Sequence, residues 1–222
     1  MRKKMELHSK IQKVFGLACA CVLAVAISLG ITACGNNDKQ VIQEDLEDVL
    51  DTFKNPTVKS IKKAVVKAGA TKDEIEYLDS SFGAIAQIGI DPDDLFHYLF
   101  LDFDYKIEDI EVNGDTATAK LSITTKDFEA ATKSFQTELS SDSIKDEMTN
   151  LYAQSGSDTT VLYKFIFEKL YACLEKADSK AQDITVDLKK NSKGSWYFED
   201  KSMNDFNNAL FGGMNEMGTA LQ

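Results

Sequence analysis

The chain has 222 residues, a formal net charge of −11 and only four cysteines. Five basic side chains against one acidic one give residues 1–33 a charge of +4, whereas 20 basic against 35 acidic side chains give the remaining 189 residues −15. Such an acidic body is repelled by nucleic acid and carries no basic stripe, so we expect no nucleic-acid partner. The cysteine count and spacing provide neither a disulfide framework nor a CxxC metal site.

The first 33 residues have the parts of an export signal. Basic residues up to Lys13 precede an uncharged run of 20 residues, Val14 to Ala33. A helix of that length spans about 30 Å, so length alone leaves a retained transmembrane helix open. A disulfide from Cys34 is another alternative, for which Cys173 is the one exported partner if the signal is removed.

The run ends in Ile31-Thr32-Ala33-Cys34, and the polar residues Gly35-Asn36-Asn37-Asp38 follow. This arrangement resembles the lipobox and tether of bacterial lipoproteins. The resemblance implies cleavage between Ala33 and Cys34 and a diacylglycerol, with acyl chains such as palmitate, on the Cys34 thiol. Two acyl chains on one residue give stable anchoring. We therefore predict a signal peptide over 1–33, a lipidated cysteine and tether over 34–40, and a location on the outer face of the cell membrane.

Four helices are predicted between residues 41 and 99. Residues 41–53 have helical periodicity, with the acidic side chains, Asp45 among them, assigned to the polar face. A second helix is predicted over 57–68. Thr71-Lys72-Asp73-Glu74 has the form of a capping box that opens a third helix. Asp91-Pro92 opens a fourth over 92–99.

The pattern then changes to the alternation of strands. A shift of register predicts a bulge near Glu108-Asp109, and Asn113-Gly114 is typical of a hairpin turn. Helical spacing returns over 128–139, 144–152 and 159–177. A second hairpin is predicted over 184–198, and a last helix runs from Ser202, with Gly212-Gly213 expected to break or bend it. Strands that pair locally and stand apart from the helices indicate an α+β fold with an antiparallel sheet.

The helix signature Phe53-Lys54-Asn55-Pro56, the hairpin over 110–119 and the strand Gly194-Ser195-Trp196-Tyr197-Phe198 are similar to those of uncharacterised Gram-positive lipoproteins with an NTF2-like (cystatin-like) body. The resemblance implies one α+β domain over 41–222, in which a curved antiparallel sheet packs on helices around a pocket. Residues 57–99 exceed a minimal body of this kind and are interpreted as a helical insertion. The family implies no catalytic residues.

Candidate chemistry is sparse. His97 is the one histidine beyond the signal, and Asp93 and Asp94 lie within helical reach of it. Asp94, His97 and Trp196 are candidate pocket residues, although the aspartates also suit helix capping and Trp196 suits a core. The acidic run from Asp91 to Asp104 lacks the EF-hand pattern, so we expect no metal site and no cofactor. Cys173 is predicted to be a core residue.

These features predict a membrane-anchored, extracytoplasmic lipoprotein of the cell envelope. Its body is expected to be a non-enzymatic module that binds a protein or a small molecule. The alternative is a small NTF2-like enzyme of isomerase or hydrolase type that uses His97 with a nearby Asp. A third alternative, a helper in export or envelope assembly, predicts an exposed apolar groove.

Overall fold

The computed structural model describes residues 37–67, 70–156, 158–192 and 194–211. Helices α1 Asp38–Asp51, α2 Val58–Lys67, α3 Lys72–Gln87 and α4 Pro92–Leu99 precede strands β1 Asp104–Asn113 and β2 Thr116–Lys126. Helices α5 Phe128–Ser140, α6 Asp142–Gln154 and α7 Thr159–Lys176 then lead to β3 Ser179–Lys190, β4 Trp196–Phe198 and α8 Asp200–Phe211. The fold is α+β with an antiparallel sheet, as predicted, and the sheet is open.

Local signals set several of the helix starts. The Thr71 side chain accepts a hydrogen bond from the Glu74 N–H, and the Glu74 carboxylate accepts one from the Thr71 N–H, which completes the predicted capping box. Asp91 caps α4, and Pro92 follows at the first helical position. Asp93 lies in the first turn of α4 but caps a different helix. Its carboxylate accepts a hydrogen bond of 2.6 Å from the Val58 N–H and so caps α2 across the fold.

The four strands form a meander in the order β1-β2-β3-β4. The register between β1 and β2 shifts between Ile107 and Asp109, which confirms the predicted bulge. One face of the sheet is apolar and contributes Ala119, Leu121 and Val186 to the core. The other face, which we call the open face, carries the polar or small side chains of the alternate residues in all three long strands. Antiparallel sheets commonly bury one face and leave the other in water.

The helices of the described residues pack on the apolar face of the sheet. Helix α1 packs against β1, α8 packs against β3 and β2, and α5 packs against α7. A single hydrophobic cluster links these elements and includes Phe53, Phe96, Phe135 and Phe206, each fully buried. Cys173 is buried in the same cluster, as predicted.

The start of α1 is held against the end of β3. The Lys190 ammonium lies 2.8 Å from the Asp38 carboxylate, and both side chains are largely buried. The same ammonium lies 5.4 Å from the centre of the Trp196 ring. The turns of both hairpins are at this end of the sheet, because β1 and β3 end here and β2 and β4 begin here. We call it the hairpin end.

One prediction about α1 is wrong. Asp45 was assigned to the polar face of the helix, but it is only 3 % exposed. Its position is one turn after Ile42 and one turn before Val49, so it borders the apolar stripe rather than opposing it. Tertiary packing buries the Asp45 side chain. Lys67, at the end of α2, is close enough for its charge to lower the pKa of the Asp45 carboxyl.

Candidate functional site

The outer edge of β3 is open over most of its length. Strand β4 pairs only with Leu188–Lys190, and no other strand of the described chain pairs with the outer side of residues 179–186. The direction of the backbone groups follows from the strand's ends. The Asp187 N–H donates to Ser202 Oγ at 2.7 Å, and the Asp187 carbonyl accepts from the Glu199 N–H at 3.0 Å. The backbone N–H and C=O of Asp187 therefore point away from β2.

The register between β2 and β3 is regular, so the backbone N–H and C=O groups of the alternate residues Ala181, Asp183 and Thr185 point in the same direction as those of Asp187. Their N–H and C=O groups form a row with no strand partner among the described residues. An exposed row of this kind is a template for pairing with another chain. Ser202 and Glu199 bond the N–H and C=O of Asp187, so the open row ends at Thr185, and pairing with β4 starts at Leu188.

A groove of about 540 Å³ lies between this edge and α8, and we call it the edge groove. Strand β3 contributes Gln182, Asp183, Ile184, Thr185 and Asp187 to its lining. Helix α8 contributes Lys201, Ser202, Asp205 and Asn208. Ile184 is the one apolar lining residue, so the groove combines a small apolar floor with polar walls.

The edge groove is acidic. Asp183, Asp187 and Asp205 bring three carboxylates to it, whereas Lys201 brings the one basic side chain of its lining. Asp183 accepts a hydrogen bond of 2.6 Å from Ser122, and Asp187 accepts one of 3.3 Å from Thr118, so the open face of β2 orients both groups. None of the three carboxylates forms an ion pair within the described part of the chain. The groove therefore offers negative charge to a ligand.

The predicted pocket residues lie elsewhere. His97 is exposed in the last turn of α4, and its ring meets Tyr98 edge-on at 5.3 Å. Asp94 is also exposed and lies near the stacked pair Tyr98 and Tyr171, where burial first and then its charge raise the pKa of the Tyr171 hydroxyl. Trp196 is 1 % exposed in the core. None of the three predicted residues lines the edge groove.

The predicted acidic run serves structural purposes. Asp91 and Asp93 cap helices, and Asp104 lies 3.7 Å from Lys54. The Lys126 ammonium is almost fully buried and lies 2.6 Å from Asp102, which adopts a left-handed backbone. The hydrogen bond from Lys126 holds the pKa of the Asp102 carboxyl below its usual range. Within the described residues, no group of three or more His, Cys, Asp or Glu side chains could hold a metal ion.

Asp45 is the other unusual acid. Neither of its carboxylate oxygens has a hydrogen-bond partner among the described residues. Burial raises the pKa of this carboxyl to about 6, the charges of Asp48 and Glu44 add to the increase, and Lys67 opposes it. Asp45 lies on α1 rather than in the edge groove, so its effect is on stability.

The lipobox and the predicted Gly212-Gly213 break lie outside the described residues. No helix of the described residues has the length and apolar character needed to cross a membrane.

The chain matches no protein-family profile, no curated protein and no solved structure.

Proposed function

We propose that the protein is a lipoprotein, anchored through Cys34 to the outer face of the cell membrane of a Gram-positive bacterium, and that its NTF2-like body binds a partner without catalysis. The observation that carries the anchor is Ile31-Thr32-Ala33-Cys34 directly after an uncharged run and directly before a polar tether. One boundary thus supplies a small residue for cleavage, a thiol for lipid attachment and a polar link to the body.

The anchor is tested by metabolic labelling with palmitate in the host. We expect the wild-type chain to be labelled and shortened to begin at Cys34, and the Cys34→Ala variant to be unlabelled and unprocessed. Cys173→Ala is the matched control, because Cys173 is buried and its variant is expected to be labelled like the wild type. A Cys34→Ala chain that is still labelled and processed would exclude the lipid anchor.

The binding role is supported by the edge groove, which joins unpaired backbone groups to carboxylates without ion pairs. The enzyme alternative required His97 and an aspartate to converge in a polar pocket. His97 is exposed and lies outside the edge groove, so the geometry offers that alternative no supporting contact. The export-helper alternative required an exposed apolar groove, whereas the large exposed apolar side chains of the described residues are Val66 and Tyr77.

The NTF2-like architecture is proposed on two features of the body. The Asn113-Gly114 hairpin and the Trp196 strand lie in one antiparallel sheet, and that sheet packs one face on helices. An experimental structure of the protein tests this part of the proposal, since a sheet that closes on itself or that packs helices on both faces would contradict it.

A further inference from the structure

We propose that the outer edge of β3 receives an extended segment of a partner protein as an added strand, and that this segment alternates basic and apolar side chains. The inference rests on the proposed binding function and gives it a site and a partner chemistry. Strand addition of this kind obtains affinity from main-chain hydrogen bonds and specificity from alternate side chains.

The unpaired backbone groups of β3 give the added strand its hydrogen-bonding partners. Ala181, Asp183 and Thr185 direct three N–H and three C=O groups away from β2, and no strand of the described chain pairs with them. These groups span five residues, which is about 17 Å of strand. A partner segment of five to seven residues therefore matches the open length, and Ser202 limits the pairing at Asp187.

The side chains around the β3 edge determine which residues of a partner would fit. Residues of an added strand alternate between the open face and the side of α8. On the open face, a side chain of the partner would meet Asp183 and Asp187, whose carboxylates have no ion pair within the described residues. On the other side it would meet Ile184, with Asp205 nearby. Lysine or arginine suits the first position, and an aliphatic residue suits the second.

The other sheet edge offers a contrast. On β1, Asp109 lies 3.2 Å from Lys39 and Asp104 lies 3.7 Å from Lys54, so lysines from the region of α1 already neutralise two acidic groups. Among the carboxylates of β1, Glu111 has no ion pair in the described residues, whereas the β3 edge places three such carboxylates, Asp183, Asp187 and Asp205, beside its open backbone groups.

A second copy of this chain is a poor occupant. Antiparallel pairing of two β3 edges centred on residue 183 places one Asp183 directly opposite the other, and like charges in that position are destabilising. Charged residues on an edge strand commonly prevent self-association. The same carboxylate attracts a basic partner, so the charge that opposes the homodimer favours the partner proposed here.

The test uses the full chain purified in detergent and a labelled nine-residue peptide of alternating lysine and valine. Fluorescence anisotropy measures binding, and a peptide with glutamate for lysine serves as the comparison. We expect the lysine peptide to bind and the glutamate peptide to fail. Hydrogen exchange should slow over residues 181–185 when the lysine peptide is present. Slowing elsewhere, or binding of both peptides, would overturn the inference.

Two variants separate strand pairing from general charge attraction. Asp183→Asn with Asp187→Asn should weaken binding of the lysine peptide by roughly fivefold to tenfold, since the two exposed carboxylates that the lysines would meet are lost. Asp146→Asn with Glu147→Gln makes the same charge change on α6 and should alter binding less than about twofold. Equal weakening by both double variants would reduce the effect to overall charge and overturn the inference.

Thr185→Pro tests the backbone directly. Proline removes an N–H that faces away from β2 and is tolerated on edge strands, so the sheet should persist while peptide binding is lost. Unchanged binding to Thr185→Pro would contradict strand addition, and the double variants decide the matter if this variant does not fold. A photo-crosslinker placed at Thr185 or at the exposed Tyr77 separates the two proposals in the host. A product from Tyr77 alone would support partner binding and overturn the edge as its site.

Discussion

Replacement of Asp45 by asparagine should change how the stability of the protein depends on pH. Asp45 is buried, its oxygens lack hydrogen-bond partners among the described residues, and its pKa is raised from 3.8 to about 6. The folded protein therefore holds the proton more tightly than the unfolded chain. Stability that is present below pH 4 should fall as the pH rises, and the loss should level off above about pH 6.

The size of this effect follows from the shift. A difference of about two pKa units corresponds to about 3 kcal/mol between acidic and neutral pH. Asparagine has nearly the same shape as the protonated acid but does not ionise in this range. At pH 4 the unfolded carboxyl is already partly ionised, so the free energy of unfolding of Asp45→Asn, relative to wild type, should increase by about 2.5 kcal/mol between pH 4 and pH 7.5.

Urea unfolding at a series of pH values, followed by the fluorescence of the single tryptophan, measures this difference. Trp196 is buried, so its emission reports loss of the core. Asp146→Asn on α6 is the control, because Asp146 is exposed and should show no such trend. A difference between Asp45→Asn and wild type that stays constant from pH 4 to pH 7.5 would refute the reasoning.

Two further substitutions test contacts that hold the body together, with urea unfolding as the measurement. Asp102→Ala leaves the Lys126 ammonium buried, with the Ala177 carbonyl as its remaining hydrogen-bond acceptor among the described residues. The loss should cost about 2 kcal/mol, because Asp102 itself is half exposed. A cost below about 0.5 kcal/mol would mean that water replaces the carboxylate. Thr71→Ala removes half of the capping box and should cost about 1 kcal/mol, with Thr149→Ala in the middle of α6 as the comparison.

Local chemistry is what made parts of this fold predictable. Thr71 and Glu74 are three residues apart, Asp91 stands beside Pro92, and the change of register near Glu108 is visible in the alternation of apolar residues. Each of these signals acts through neighbours in the chain. The starts of α3 and α4 and the bulge in β1 could therefore be predicted without knowledge of the tertiary structure.

Contacts between residues far apart in the chain could not be predicted from such local signals. Asp93 caps a helix that begins 35 residues earlier, and Asp45 is covered by packing that the periodicity of α1 does not contain. The edge groove depends on the shortness of β4 and on the position of α8 beside β3. The sequence predicted both hairpins, but the length over which β4 pairs with β3 is set by the tertiary arrangement.

The ion pair between Lys190 and Asp38 affects how the body is oriented relative to the membrane in the proposed anchored protein. Asp38 is four positions after Cys34 in the chain, a span of at most about 14 Å. In the proposed anchored protein, the hairpin end is thus the base, and β3 rises from it with Ser179 uppermost. Strand β3 is 12 residues long, so its free edge reaches up to about 40 Å from the base, on the side of the body away from the proposed anchor.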